Sequence, residues 1–484
     1  MSDWTKTTLG EIAKIITGPF GSQLHSYEYV ESGTPVIMPQ NIGDRMFSTE
    51  KVAYINDETA ERLKRYVTVK NDIVYSRRGN VEKHAFITKE HKGAICGTGC
   101  FRVRTTSNEV LPMFLSLYLN RPEIKLWLVQ HAVGSNMPNL NTGILVNMPI
   151  AYPDMLSQKA ISSILSKIDR KIALNNAINA ELESTARTLY DYWFTQFDFP
   201  NVSGKPYKSS GGEMVWNEQL KRKIPKGWEA EQLVDKIEFK RGYSYSSDEI
   251  KSGEGIPMIN LASISRKQEY IPYGIKFVNK QVNNDCTADP FEMLIACTDL
   301  TRKAEIIGCP IIVPKEYEKY VFSMDLAKVV IRTEEYTKCY LYRTLRTDFY
   351  HEHIKRYATG TNVLHLDLDG IRWYYTVIPP IELQRDYERI HMPIVSKQVA
   401  LLNENKELIA TRDFLLPLLM NGQVMVGKPQ VKKSIKMKSQ QIKPASFDSA
   451  RFQEWKSQIG IAARGNVDEQ TLKNIYKVMD ANDR

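Results

Sequence analysis

The sequence predicts an α+β fold in which one unit is written twice, each copy a β-rich domain followed by a long helix. The two helices are expected to pair as an antiparallel coiled coil, giving the chain a pseudo-two-fold internal repeat. Three observations lead there: a collinear internal repeat, short β-prone runs in the first part of each copy, and heptad spacing in the second.

The repeat is read directly. Trp4-Thr-Lys-Thr-Thr-Leu9 recurs as Trp228-Glu-Ala-Glu-Gln-Leu233, and Gly18 falls on Gly242 at the same offset. Pro35-Val-Ile-Met-Pro-Gln-Asn-Ile42 resembles Pro257-Met-Ile-Asn-Leu261, and Val133-Gly-Ser-Asn-Met-Pro-Asn-Leu140 matches Thr359-Gly-Thr-Asn-Val-Leu-His-Leu366. Pro153 and Gln158 fall on Pro379 and Gln384. The matches stay in order with a slowly drifting offset, as small loop insertions would produce.

In the first part of each copy, β-prone runs alternate with Gly, Pro, Asn and Asp. Asp72-Ile-Val-Tyr-Ser76, Ala94-Ile-Cys96, Phe101-Arg-Val-Arg104, Met293-Leu-Ile-Ala-Cys297 and Ile311-Ile-Val313 are examples. That spacing predicts a β-rich domain with a few helices, residues 114–120 among them.

From Ser157 to Phe194 there is neither Pro nor Gly. One apolar row reads Ile161, Ile168, Asn175, Leu182, Leu189 and the other Leu165, Ile172, Asn179, Ala186, Trp193, the seam of a coiled coil. The second copy supplies Val395, Val399, Leu402, Ile409, Leu416 and Met420. Asn175 and Asn179 interrupt the first seam, and Asn403, Asn405 and Lys406 lie in the matching part of the second; such polar groups lower stability but fix register. A helix of about 38 residues is a rod of about 57 Å, or about one and a half turns of B-DNA. Two similar domains on such a spacer suit the recognition of two short features a fixed distance apart.

The expected divisions are a first domain over 1–154, a spacer helix over 155–196, a linker over 197–227, a second domain over 228–381, a second spacer helix over 382–422, a basic linker over 423–446 and a helical extension over 447–484. Phe447 to Ile461 and Asp468 to Met479 read as short helices, with Asp468 as a cap, and the extension reads as a small docking element.

Bulk properties fit a globular protein, with 42% hydrophobic and 25% charged residues in 484. The apolar run Asp413-Phe-Leu-Leu-Pro-Leu-Leu-Met420 is too short to span a bilayer, and the start lacks a signal-peptide layout, so a cytoplasmic location is expected. Six scattered cysteines, with Cys96 and Cys100 the nearest pair, read as reduced structural thiols. The net charge of +9 is less informative than it looks, because residues 422–484 hold twelve Lys or Arg against six Asp or Glu. Only +3 is left for the rest, so any DNA-binding surface there depends on locally segregated basic side chains. Lys428 to Lys443 has six lysines and no acid; it reads as a flexible linker with weak phosphate contact as its sharper interpretation.

After the first helix, Leu189-Tyr-Asp-Tyr-Trp-Phe194 runs into Phe197-Asp-Phe-Pro-Asn201, Gly204-Lys-Pro-Tyr-Lys-Ser-Ser-Gly-Gly212, Met214-Val-Trp-Asn217 and Ile224-Pro-Lys-Gly-Trp228. This text resembles the central region of type I restriction-modification specificity subunits, as do the Trp-x4-Leu starts and the Gly-Ser/Thr-Asn-x3-Leu loops. The resemblance covers residues 4–422. It implies two target recognition domains, each reading half of a bipartite, asymmetric site in double-stranded DNA. It also implies helices that set the spacer and dock two modification subunits, which carry S-adenosylmethionine and methylate adenine. Restriction subunits would join that assembly, and this chain would bind no cofactor or metal of its own.

Base reading needs exposed donors and acceptors, and phosphates need cations and amides. In the first domain the candidates are Phe20, Ser22, Gln23, Asn41, Arg77, Arg78, Asn80, Ser135 and Asn136. In the second they are Arg241, Tyr243, Tyr245, Asn260, Thr298, Arg302, Lys303, Thr361 and Asn362. The loops align between copies while their residues differ, as two domains reading different half-sites require. Plainer readings stand beside these. Gly18 and Gly242 could supply turns with positive φ, Asn136 and Asn362 could bond their own backbone, Arg77 and Arg78 could be a solvated pair, and Tyr243 or Tyr245 could be core.

Two other classes compete. An adenine methyltransferase needs Asn/Asp-Pro-Pro-Tyr/Phe, but the Pro379-Pro380 pair lies between Ile378 and Ile381. No Walker loop is present, and Asp289-Pro-Phe-Glu292 lacks a Lys at nuclease spacing. A coiled-coil scaffold that binds only proteins is the other alternative.

Overall fold

The computed structural model describes residues 4–421 apart from 50, 135–137, 252 and 269. The expected basic linker and C-terminal extension, with Ser135 and Asn136, lie outside the described residues. Two compact units emerge. One holds the described residues through Lys171 with those from Leu408 on, and the other spans Ile172–Glu407.

Strand pairing repeats between the units. In the first, Thr5–Thr8 pairs antiparallel with Pro149–Tyr152, Thr5 opposite Tyr152; in the second, Glu229–Gln232 pairs with Tyr375–Ile378, Glu229 opposite Ile378. The domain's first and last strands thus close on each other in both copies. Behind them, strand Ala13–Thr17 pairs with Cys100–Thr105, which pairs with Ile73–Ser76. The second unit repeats this as Ile237–Arg241, Leu326–Ile331 and Met293–Ala296. A second sheet has the strand Thr34–Ile37 between an antiparallel and a parallel neighbour, and Ile256–Ile259 is placed likewise. The central strands are buried on both faces, Ile73–Ser76 and Met293–Ala296 throughout, which explains their unbroken apolar runs. The segment expected to be helical near residue 114 is the helix Pro112–Leu119.

Gly18 and Gly242 do not have the positive φ considered for them. A Cβ on Gly18 would lie 2.1 Å from the Gly97 carbonyl oxygen, and one on Gly242 2.1 Å from that of Ser323. Close backbone approach, not a left-handed turn, demands glycine at both places.

The long helices are Met155–Tyr190, continued by a wide turn over Asp191–Thr195, and Ile381–Met420. Within each unit the two segments run antiparallel. Ile161 and Leu165 share the first unit's core with Leu416, Leu419 and Met420. In the second, Leu182 and Ala186 pack with Ile394 and Leu401. Asn175 donates to Glu404 (2.8 Å) and to Asn405 (3.0 Å), while Asn405 donates to Asn176 (2.7 Å). Asn175 and Asn405 therefore pair across the seam, which favours a single register, whereas Asn403 accepts from Tyr270 and Lys406 pairs with Glu316. The second helix stays continuous through Pro393 and Pro417, so its packing overrides a penalty of about 3 kcal/mol per interior proline.

The repeated Gln158 and Gln384 explain how each domain holds its helix. Both are fully buried. Gln158 Nε2 donates to the carbonyls of Glu109 (2.8 Å) and Pro153 (2.9 Å), and its oxygen accepts from Leu111 N–H (2.9 Å). Gln384 does the same with Glu335 (2.7 Å), Pro379 (2.8 Å) and Thr337 N–H (2.8 Å).

The aromatic text after the first helix forms core. Trp193, Phe194, Phe197, Phe199 and Trp228 join Tyr340 and Tyr387 in the second unit's main cluster. Phe199 stacks on Trp228 (5.0 Å) and on Tyr207 (4.8 Å). All six cysteines are free thiols, five of them buried, and burial pushes Cys96 up to about 12.

Candidate nucleic-acid interface

In each unit, the turn after the central strand is pinned to the loop near the domain's end. In the first, Arg77 N–H donates to Gly99 (2.7 Å), Leu140 N–H donates to Arg77 (2.9 Å), and Arg78 forms a β-bridge with Asn139. In the second, Cys297 N–H donates to Asp325 (2.7 Å), Leu366 N–H donates to Cys297 (2.8 Å), and Thr298 lies opposite His365. Thus the segments 77–80 and 138–140 meet, as do 298–303 and 361–366. These pairs contain six exposed polar candidates, Arg78, Asn80, Arg302, Lys303, Thr361 and Asn362.

The side chains on this frame differ. Arg78 and Asn80 are exposed at the first tip. Arg77 is half-buried, its guanidinium 5.8 Å from the Phe20 ring and 6.0 Å from the Phe101 ring. Phe20 is 58% exposed. At the second tip Arg302, Lys303, Thr361 and Asn362 are exposed, and Arg302 donates to the Asn362 amide oxygen at 3.1 Å. Asp299 holds this longer loop by accepting from the N–H groups of Thr301 and Ile306, each at 2.7 Å.

Other candidates are engaged within the fold. Asn41 is fully buried and accepts from Met38 N–H at 3.1 Å. Asn260, also buried, donates to Gly274 and accepts from Ala262 N–H. Thr298 is buried in its strand. These three side chains brace loops and do not present donors outward. Gln23 is exposed, but its amide oxygen accepts from Tyr66 (3.0 Å) and from Phe20 N–H (3.2 Å). Ser22 is exposed beside it, and Arg241 is exposed at its strand end. Tyr243 and Tyr245 are both half-buried against the cluster of Met258, Val278 and Val321; Tyr243 donates to Glu249 (3.0 Å), and Lys276 sits over the Tyr245 ring.

Sequence reading missed Leu300 (68% exposed) and Val133 (64%), which flank the two tips, and exposed His365 opposite Thr298. The repeat carries the signal for His365, which falls where Asn139 stands in the first copy.

Away from the tips, charges are paired at the helix junction of the second unit. Buried Arg343 donates to Glu183 at 2.9 and 3.3 Å and to His391 at 2.5 Å. Burial disfavours the Glu183 carboxylate, but Arg343 and Arg346 outweigh it and carry the group down to about 2. In the first unit burial pushes His84 down to about 3, with Arg45 adding to the effect, and the neutral ring bonds Ser116. Among the described residues no group of three or more His, Cys, Asp or Glu is placed to hold a metal, and no helix is long and apolar enough to cross a membrane.

Two copies of one β-rich domain, each hooked by a buried glutamine to a long helix and each presenting a two-loop tip, define a duplicated recognition protein. Residues 1–184 match the family model of the type I restriction modification DNA specificity domain. The chain is 22% identical over 439 residues to the type I restriction enzyme MjaIX specificity subunit of Methanocaldococcus jannaschii, covering 88% of this chain and 94% of that one. It is 22% identical over 482 residues to the HindI specificity subunit of Haemophilus influenzae, covering 88% and 100%. The crystal structure of a type I restriction-modification S subunit from M. genitalium shares the fold, with a TM-score of 0.57 at 16% identity over 86% of this chain and 96% of that one. Residues 1–184 thus match the type I restriction modification DNA specificity domain, and the chain as a whole is similar to specificity subunits of type I restriction enzymes.

Proposed function

We propose that this chain chooses the DNA sequence on which a type I restriction-modification complex acts and performs no chemistry itself. Each β-rich domain contacts one half of a bipartite, asymmetric site through its tip. The paired helices fix the separation of the halves and offer a surface to two modification subunits, which bring S-adenosylmethionine and methylate adenine. Restriction subunits complete the assembly, which works in the cytoplasm. The observation that carries this reading is the same backbone frame in both units displaying unlike side chains: Arg77, Arg78 and Asn80 on one, Arg302, Lys303, Thr361 and Asn362 on the other. One frame with two sets of donors is what reading two different half-sites requires.

Mapping methylated adenines across the genome of cells with and without this gene tests the reading. A two-part motif that disappears with the gene is expected. Removing one heptad from both helices should then alter the spacing between the halves and leave their sequences unchanged. Methylation independent of the gene would refute the specificity role, and binding of the modification subunits without any sequence preference would favour a scaffold.

A further inference from the structure

The socket shared by Arg77 and Cys297 extends the reading above to a particular base. Arg77 is fixed on both sides, its N–H bound to Gly99 and its carbonyl to Leu140. Its guanidinium stands beside two aromatic rings, and its Nε is buried with no hydrogen-bond partner among the described residues. Among the described residues no carboxylate pairs with it, which leaves its outer nitrogens open to a ligand. Arg302, by contrast, is already bonded to Asn362. A flat guanidinium held beside two rings loses little freedom when it binds, and its fork matches the N7 and O6 acceptors on the major-groove edge of guanine. Exposed Phe20 gains a purpose as one of those rings. In the second unit the same backbone bonds present Cys297, which is 1% exposed and cannot reach a base.

We propose that Arg77 reads a guanine in the half-site of the first domain, and that the equivalent socket of the second domain reads nothing. This rests on the proposed function. The test uses the complete complex with Arg77→Cys, the side chain the fold already accepts in the equivalent socket, and with Arg77→Lys. In methylation maps of cells carrying R77C, one guanine in one half should relax to any base, with the other half and the spacing unchanged. R77K should relax the same position less. With wild-type complex, replacing that guanine by 7-deazaguanine, which lacks N7, should weaken binding about tenfold. A motif that keeps every guanine in R77C would overturn the assignment. So would full binding with 7-deazaguanine at each guanine of both halves, a measurement that stands even if R77C does not fold. A wild-type complex that yields no two-part motif would instead overturn the proposed function.

Discussion

The two recognition domains share a frame and differ where the frame is decorated. The first domain's tip is short, with Arg77 beside two rings and Arg78 exposed. The second is longer, braced by Asp299 and closed by the Arg302–Asn362 bond. The helix junctions differ too. Arg343 forms a buried ion pair with Glu183, whereas the position 226 residues earlier is Leu117, an apolar core residue. Backbone hydrogen bonds and core packing therefore keep the architecture the same, and side chains outside that frame are free to diverge.

The largest test of this comparison concerns the buried ion pair. Glu183→Ala should strand Arg343 and destabilise the second unit by about 3–5 kcal/mol. Thermal unfolding followed by hydrogen exchange should show that unit opening first. Replacing Glu183 and Arg343 together by Leu, in imitation of Leu117, should restore most of the loss; failure to do so would mean the pair does more than fill space. Next come the glutamine hooks. Gln158→Ala and Gln384→Ala each remove the side-chain partner of three backbone groups and should each cost about 2–3 kcal/mol in denaturant unfolding. Unequal costs would show that the two hooks are not equivalent in energy despite their geometry.

A smaller effect is expected at the second tip. In a double-mutant cycle read by DNA binding of the complex, Arg302→Ala and Asn362→Ala should couple by about 1.5 kcal/mol. Arg78→Ala with Asn362→Ala should be additive. The effect that is smallest near neutral pH is pH-dependent. His84 stays neutral when folded because burial holds it near 3, whereas the unfolded imidazole takes a proton from about pH 6.5 down. Stability of the first unit should therefore fall as pH drops below about 6.5, by about 1 kcal/mol over the first unit of pH, and keep falling toward 3. Glu183 has the opposite cause and the same sense: its depressed carboxyl supports the second unit fully above the usual carboxylate range and loses that support as pH falls toward 2. His84→Gln should flatten the first unit's response and leave the second's alone.

Much of this was legible in the residues. The repeat offsets predicted which strands, loops and helices would correspond, because hydrogen-bonded frames tolerate only short insertions between fixed strands. Heptad rows marked the helices, and Asn175 did meet Asn405. The site was less legible. Asn41, Asn260 and Thr298 have the chemistry of base readers but are buried, and their loops consume their hydrogen bonds. Tyr243 and Tyr245 could not be told apart by alternation, and both lean on the core.

The sequence by itself determined that one unit occurs twice, that each copy joins a β-rich domain to a heptad-patterned helix, and which loops correspond. Periodicity and turn residues are local properties, and a repeat makes them visible twice. Only the tertiary structure decided that Gln158 and Gln384 are hooks, that Gly18 and Gly242 answer a carbonyl and not a turn, and that Cys297, in the place of Arg77, is buried. Those facts depend on contacts between segments far apart in the chain, where burial and a hydrogen-bond partner decide whether a polar side chain faces a ligand or holds the fold.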